Sequence, residues 1–136
     1  MHFYCEHCKK EYPVATHAYV CECGGLFRLY QSAMDADDRH EAVTLGETET
    51  PLLPLVIEGS RFYLKMEDRQ PTGSFKDRGA KRLIGELAYL GIDRVAIDSA
   101  GNAGAAVAAY AAAAGMACRV YVPDDISAER VRQITA

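Results

Sequence analysis

Apolar positions are spaced differently in three stretches of the 136 residues. Residues 1 to about 30 interleave aromatic side chains with four of the five cysteines. Residues 31–44 are polar and acidic and read as a linker or a short exposed helix. From Leu45 onward, short apolar runs alternate with longer stretches at helical spacing.

In residues 45–136, Phe62-Tyr63-Leu64-Lys65-Met66 predicts a strand and Pro71-Thr72-Gly73 a turn. A helix follows from Ser74 to about Leu90, with Ala80, Leu83, Ile84, Leu87, Ala88 and Leu90 on its apolar face. Ser74 with Asp77 three positions on gives that helix a capping-box start, and Gly91 gives it a stop. Val95-Ala96-Ile97 predicts a short buried strand, Ser99-Ala100-Gly101 a turn, and Asn102 the opening of a second helix, rich in alanine, that Gly115 ends. A strand over Cys118–Val122 and a helix from about Ser127 complete the order strand, helix, strand, helix, strand, helix. That order is the signature of a parallel α/β sheet. Two or three parallel strands cannot bury both faces of a sheet. The expectation is therefore the N-terminal part of a larger α/β domain.

Composition narrows the function classes. A hydrophobic fraction of 49% and a charged fraction of 25% exclude a disordered or fibrous chain. The longest weakly polar run, about Ala100 to Ala117, is mostly Ala and Gly and lacks the bulk of a membrane span. The first residues carry neither a basic region nor an apolar core, so a cytoplasmic protein is expected. Net charge is −4, and no basic stripe offers a nucleic-acid backbone or an anionic membrane a footing. A small-molecule function is left.

Three segments carry candidate chemistry. Pro71-Thr72-Gly73-Ser74-Phe75-Lys76-Asp77-Arg78-Gly79 places a lysine in the first turn of a helix, where unpaired N–H groups and the positive end of the dipole disfavour an ammonium. Such a place helps keep an amine neutral, as a Schiff-base lysine must be. The plainer alternative is a surface lysine beside Asp77 and Arg78. Asp98-Ser99-Ala100-Gly101-Asn102-Ala103-Gly104 joins a strand to a helix through small residues, a geometry that receives an anion, or else a simple turn with Asn102 as cap. Cys5-x-x-Cys8 and Cys21-x-Cys23 have zinc-ribbon spacing, and about thirty residues fold more readily around a metal than around a core of their own. Disulfides, a redox pair and free thiols are the alternatives. His2, His7, His17 and His40 read as surface residues and Cys118 as a buried, inert thiol.

Leu45-Gly46-Glu47-Thr48-Glu49-Thr50-Pro51-Leu52, then the Lys76 segment, then the Ser99–Gly104 segment, resemble in this order the N-terminal part of threonine synthases. These are pyridoxal-phosphate enzymes of the three-layer tryptophan-synthase-β-like fold. The resemblance implies Lys76 as the catalytic, cofactor-linked lysine, with Phe75 and Asn102 also binding the cofactor. It implies Ser99, Ala100, Gly101, Asn102 and Ala103 as the loop that takes a substrate carboxylate, with Ala100 lacking a hydroxyl that relatives often carry. The implied reaction is conversion of O-phospho-L-homoserine to L-threonine and phosphate, and the implied full-length assembly is a homodimer. Some threonine synthases also carry an N-terminal cysteine cluster, which agrees with Cys5, Cys8, Cys21 and Cys23 as ligands of a structural zinc. The family's phosphate-binding loop and its partner to the pyridine nitrogen lie farther along than residue 136, so this chain alone is expected to be inactive. Other enzymes of the superfamily, such as serine/threonine dehydratases or cysteate-synthase-like enzymes, a zinc-ribbon binding module and a nucleotide-binding α/β protein are the competing readings.

Overall fold

The computed structural model describes residues 2–30 and 43–135. They divide into two units, Met1–Asp38 and Arg39–Ala136. The stretch read as a linker, 31–44, lies outside the described residues except for Val43 and Thr44.

In the first unit, β1 (His2–Cys5), β2 (Glu11–Tyr12) and β3 (Phe27–Tyr30) form an antiparallel sheet in the order β2-β1-β3. Phe3 stands opposite Tyr12 on one side and Leu29 on the other, and Cys5 stands opposite Phe27. The rings of Phe3 and Phe27 stack at 5.9 Å, and Tyr12 leans on Phe27 at 4.7 Å. Among the unit's described residues, however, only Cys5 and Cys21 are buried. Its interior is a set of thiols rather than hydrocarbon.

The second unit opens with a hairpin of β4 (Leu52–Ile57) and β5 (Ser60–Lys65), running from Leu52 opposite Lys65 to Ile57 opposite Ser60. Glu58 and Gly59 take φ of 50° and 77°, the left-handed pair that a two-residue type I′ connection needs. A 3-10 turn (Glu67–Arg69) then leads into α1 (Lys76–Tyr89), β6 (Arg94–Asp98), α2 (Asn102–Ala113), β7 (Ala117–Tyr121) and α3 (Ala128–Thr135). β6 and β7 pair in parallel, from Arg94 opposite Ala117 to Asp98 opposite Tyr121, as the strand-helix-strand pattern predicts.

The core lies between α1, α2 and this pair. Ala80 and Ile84 of α1 meet Ala106, Val107, Tyr110 and Ala111 of α2, with Val43 and Met116 beside them. Val95, Ile97 and Cys118 pack against the cluster from the sheet. Alanines on α2 let the neighbouring backbones approach, and Tyr110 is the largest side chain fully enclosed there. Both long helices end in Schellman geometry: Ile92 N–H donates to Leu87 O at 2.9 Å, and Met116 N–H to Ala111 O at 2.8 Å.

The structure differs from the sequence pattern in three places. The strand expected at 62–66 runs Ser60–Lys65 and pairs with Leu52–Ile57 instead of joining the parallel sheet, which has two strands among the described residues. Pro54 argues against a strand at 52–57, but a two-stranded ribbon has an edge on which a missing N–H costs nothing. The capping box at Ser74 does not form. Helix α1 begins at Lys76, and Asp77 turns its carboxylate to Thr72. Leu83, placed on the apolar face by its spacing, is half exposed.

Candidate functional site

Lys76 is the first residue of α1, and three networks fix that helix start. Asp77, with no exposed surface, accepts the backbone N–H of Thr72 at 2.7 Å and also its hydroxyl, closing the Pro71–Gly73 turn onto the helix. Gly73 N–H donates to Gln70 O at 2.8 Å, and Lys76 N–H donates to the Ser74 hydroxyl at 3.3 Å. Arg78 forks onto Glu67, Nε to Oε2 and Nη2 to Oε1 both at 2.8 Å, while Thr50 Oγ1 donates to the same carboxylate at 2.6 Å. The Arg78 guanidinium, then the Thr50 hydroxyl, pull the carboxyl of Glu67 down to about 2.

The third network ties residues 44–47 to both helices. Glu47 accepts Thr44 Oγ1 at 2.7 Å, Leu45 N–H at 3.0 Å, Lys81 Nζ of α1 at 3.0 Å and Tyr110 Oη of α2 at 2.5 Å. Burial opposes ionisation of Glu47, but these four donors outweigh it and hold the carboxyl far below its ordinary range. Burial, and then the same carboxylate, push the Tyr110 phenol well above its ordinary value. Lys76 itself is exposed, with Nζ 4.7 Å from the centre of the exposed Phe75 ring.

The turn between β6 and α2 is built by Ser99. Its hydroxyl accepts the N–H groups of Gly101 at 3.3 Å and Gly104 at 3.0 Å, so Ser99 caps α2 and Asn102 does not. A Cβ on Gly104 would stand 2.8 Å from Ser99 O, which explains a glycine there. The N–H groups of Asn102 and Ala103, in the first turn of α2, find no partner among the described residues. Asn102 is exposed and accepts Gln133 Nε2 at 3.0 Å on Oδ1, while Arg130 Nη1 donates to Ala100 O at 3.4 Å. No hydrogen bond joins Lys76 to this turn among the described residues. A groove of about 740 Å³ passes between Leu45, Pro71 and Thr72 on one side and Ala108 and Ala112 of α2 on the other, and Gln133 also lines it.

In the first unit the sulfurs of Cys5, Cys8, Cys21 and Cys23 all lie within 4.8 Å of one another. Cys5 to Cys23 and Cys8 to Cys21 are each 3.5 Å. A tetrahedron with zinc–sulfur bonds of about 2.3 Å has edges of about 3.8 Å, so the four thiols are gathered at the spacing of ligands to one zinc ion, within shifts of about 1 Å. All are free thiols, which sets aside the disulfide alternative for this structure. Cys8 N–H points at Cys5 Sγ at 3.5 Å, and a Cβ on Gly25 would come within 2.5 Å of the same sulfur. The Tyr12 hydroxyl lies 3.1 Å from Cys21 Sγ and leads the N–H of Cys23 in drawing that thiol down to about 6. His7 Nδ1 is 3.8 Å from Cys23, outside the thiol set, and His2 reaches Glu11 at 3.6 Å. His17 is exposed, whereas His40 lies outside the described residues. Cys118 is half-buried against the core, and burial pushes its thiol up.

Sequence reasoning named Lys76, Asn102 and the cysteines but gave no role to Glu47, Thr50 and Arg78, and it paired Asp77 with Ser74 where the structure pairs it with Thr72. Those four stand in the same quoted motifs. Their roles depend on partners, Tyr110 and Glu67 among them, that only the fold brings together. Tyr12 was missed altogether, its sole signal being an aromatic residue between two cysteine pairs.

Residues 43–136 match the family model described as pyridoxal-phosphate dependent enzyme, and the chain belongs to that family. Among curated proteins it is similar to the threonine synthase of Synechocystis sp., with 36% identity over 82% of this chain and 31% of the relative. The threonine synthase of Methanocaldococcus jannaschii is 32% identical over 88% of this chain and 37% of the relative. Among solved structures, a hydrogen sulfide-producing enzyme from Fusobacterium nucleatum superposes with a TM-score of 0.58 at 30% identity, covering 64% of this chain and 28% of that one. The chain thus spans about a third of the length of the curated relatives it matches. No helix among the described residues is long and apolar enough to cross a membrane.

Proposed function

We propose that the second unit is the N-terminal part of a threonine synthase-like lyase that converts O-phospho-L-homoserine and water to L-threonine and phosphate. The fold expected for the whole is the three-layer tryptophan-synthase-β-like one. The carrying observation is the Pro71–Gly79 segment, whose lysine is the exposed first residue of a helix pinned on both sides by Asp77–Thr72 and Arg78–Glu67. A primary amine there, a carboxamide at Asn102 and two unpaired N–H groups beside it form a donor set that suits pyridoxal phosphate and an amino-acid carboxylate. When bound, that cofactor supplies an electron sink for carbanions next to the substrate nitrogen.

The chain's own residues hold and orient. Lys76 Nζ would hold the cofactor and would be the group that carries protons to and from the substrate carbons, for which an amine must be neutral. Asn102 would bind the cofactor through Nδ2, the donor that has no partner among the described residues while Oδ1 accepts Gln133. Phe75 lies beside the amine and covers it from one side. Of the loop Ser99, Ala100, Gly101, Asn102 and Ala103, the N–H groups of Asn102 and Ala103 at the dipole end take the substrate carboxylate, since the Ser99 N–H already donates to Tyr121 O at 3.1 Å and the Gly101 N–H to the Ser99 hydroxyl at 3.3 Å. Cys5, Cys8, Cys21 and Cys23 hold a structural zinc that gives the first unit its interior. The substrate is a small amino acid, nucleic acid and membrane have no part, the protein is cytoplasmic, and the whole enzyme is a homodimer.

Likeness to the hydrogen sulfide-producing enzyme favours a second reading, replacement or elimination at a β-carbon by the same machinery. The two separate by ligand competition. With pyridoxal phosphate present, O-phospho-L-homoserine is expected to shift the Asn102 and Ala103 amide resonances at lower concentration than L-cysteine or O-acetyl-L-serine. The opposite order supports the second reading, and unmoved resonances with every ligand contradict the carboxylate loop.

A further inference from the structure

From the hydrogen-bond geometry around Cys21 we infer that Tyr12 is a positioning residue of the metal centre, donating its phenol proton to the Cys21 thiolate. This rests on the zinc reading of the four-cysteine cluster and adds to it a side chain outside the ligand set. The Tyr12 oxygen has two polar neighbours, Cys21 Sγ at 3.1 Å and the backbone N–H of Glu22 at 3.5 Å. A phenol has one proton and can accept on its oxygen. The Glu22 N–H can only donate, so it occupies an acceptor site on that oxygen. A metal-bound Cys21 has no proton to give. The phenol proton therefore points at sulfur.

The tyrosine is held in that pose by its neighbours. Its ring leans on Phe27 at 4.7 Å, and its strand pairs with β1, Tyr12 facing Phe3. Lys10 Nζ lies 5.4 Å from the ring centre and grips both carboxylate oxygens of Glu22, at 2.9 and 2.8 Å, which anchors the residue whose N–H approaches the phenol. Cys21 is 2% exposed, so water cannot readily take the place of the phenol. Among the described residues Cys21 is the one thiol of the cluster with a hydroxyl donor. Cys5 receives the N–H of Cys8, and His7 lies 3.8 Å from Cys23.

A hydrogen bond to a coordinated thiolate withdraws charge from sulfur and fixes the direction of its lone pairs. Outer partners of this kind typically change metal affinity by about 10–100-fold. The lowered charge also makes the sulfur a poorer nucleophile, so the same contact protects Cys21 from alkylation while the metal is bound.

The test compares wild type with Tyr12→Phe in the full chain, since phenylalanine keeps the packing on Phe27. Each is titrated with cobalt(II), read by its tetrahedral spectrum and thiolate charge-transfer band, and then with zinc against a competing chelator. The expected result is one tetrahedral cobalt in both proteins, a charge-transfer band at lower energy in Tyr12→Phe, roughly 10-fold or greater loss of zinc affinity, and faster iodoacetamide labelling at Cys21 specifically. A purely structural tyrosine would weaken binding without moving the band or singling out Cys21. Identical bands and labelling in the two proteins overturn the inference and leave the zinc reading intact. Failure of wild type to bind either metal overturns both. Should Tyr12→Phe not fold, wild type loaded with a spin-active cadmium isotope decides: a protected Tyr12 hydroxyl proton coupled to the metal supports the inference, and its exchange at the solvent rate overturns it.

Discussion

Replacing Glu47 tests whether residues 44–47 clamp the two helices of the second unit through a buried carboxylate. The side chain is 14% exposed and accepts four donors, two of them from different helices. In Glu47→Ala the hydroxyl of Tyr110, a residue with no exposed surface, loses its partner at 2.5 Å. Lys81, 30% exposed, can turn to water and recover part of its loss. An unpaired buried hydroxyl costs about 1–3 kcal/mol, and breaking a buried charged network about 3–5 kcal/mol. Glu47→Ala is therefore expected to cost roughly 3–5 kcal/mol and Tyr110→Phe about 1.5–3 kcal/mol, the range for a hydrogen bond to a charged group. The double variant should cost less than the sum by about 1.5 kcal/mol or more, because the shared bond can be lost only once. Urea unfolding followed by helical circular dichroism reports this unit, since the three α-helices among the described residues lie in it. Additivity of the two substitutions within about 0.5 kcal/mol would refute the clamp.

Two further outcomes follow from single residues. Glu67 titrates at about 2 in the fold and near ~4.3 when unfolded, so on acidification the unfolded chain takes up its proton first. Its contribution is complete above about pH 4.3 and is lost as pH falls towards about 2. The Tm difference between wild type and Glu67→Gln should accordingly narrow on going from about pH 6 to about pH 3, and a constant gap would contradict the assignment. Gly25→Ala would set a methyl group 2.5 Å from Cys5 Sγ, a sulfur that a bound metal keeps from retreating. Zinc affinity by chelator competition should drop at least about 10-fold, and an unchanged affinity would show that Cys5 is not held.

The parallel pair β6 and β7, both long helices and the cysteine set were legible because each has a local cause. Alternation in Val95-Ala96-Ile97, spacing in Ala80, Ile84 and Leu87, and paired cysteines two residues or fewer apart are signals contained in a few residues. Strand Leu52–Ile57 was not legible, since an unbroken apolar run with Pro54 inside it has no period and its pairing depends on the left-handed turn at Glu58-Gly59. The start of α1 was misplaced by two residues because Asp77 could serve either Ser74 or Thr72, and distance in the folded chain decides for Thr72. Asn102 looked like a cap for the same reason, until Ser99 reached the Gly104 N–H first. The bonds of Glu47 to Lys81 and Tyr110 and of Glu67 to Thr50 and Arg78 join residues from 11 to 63 positions apart, separations over which sequence spacing carries no information.

The proposed role of Lys76 as the lysine that takes pyridoxal phosphate is open to a direct check: the cofactor is added to the chain, reduced with borohydride, and the adducts are mapped by peptide mass. A dominant adduct on Lys76 is expected at low cofactor concentration, with Lys9, Lys10, Lys65 and Lys81 labelled only at excess. Equal labelling of all five lysines, or a preference for one of the other four, would contradict it.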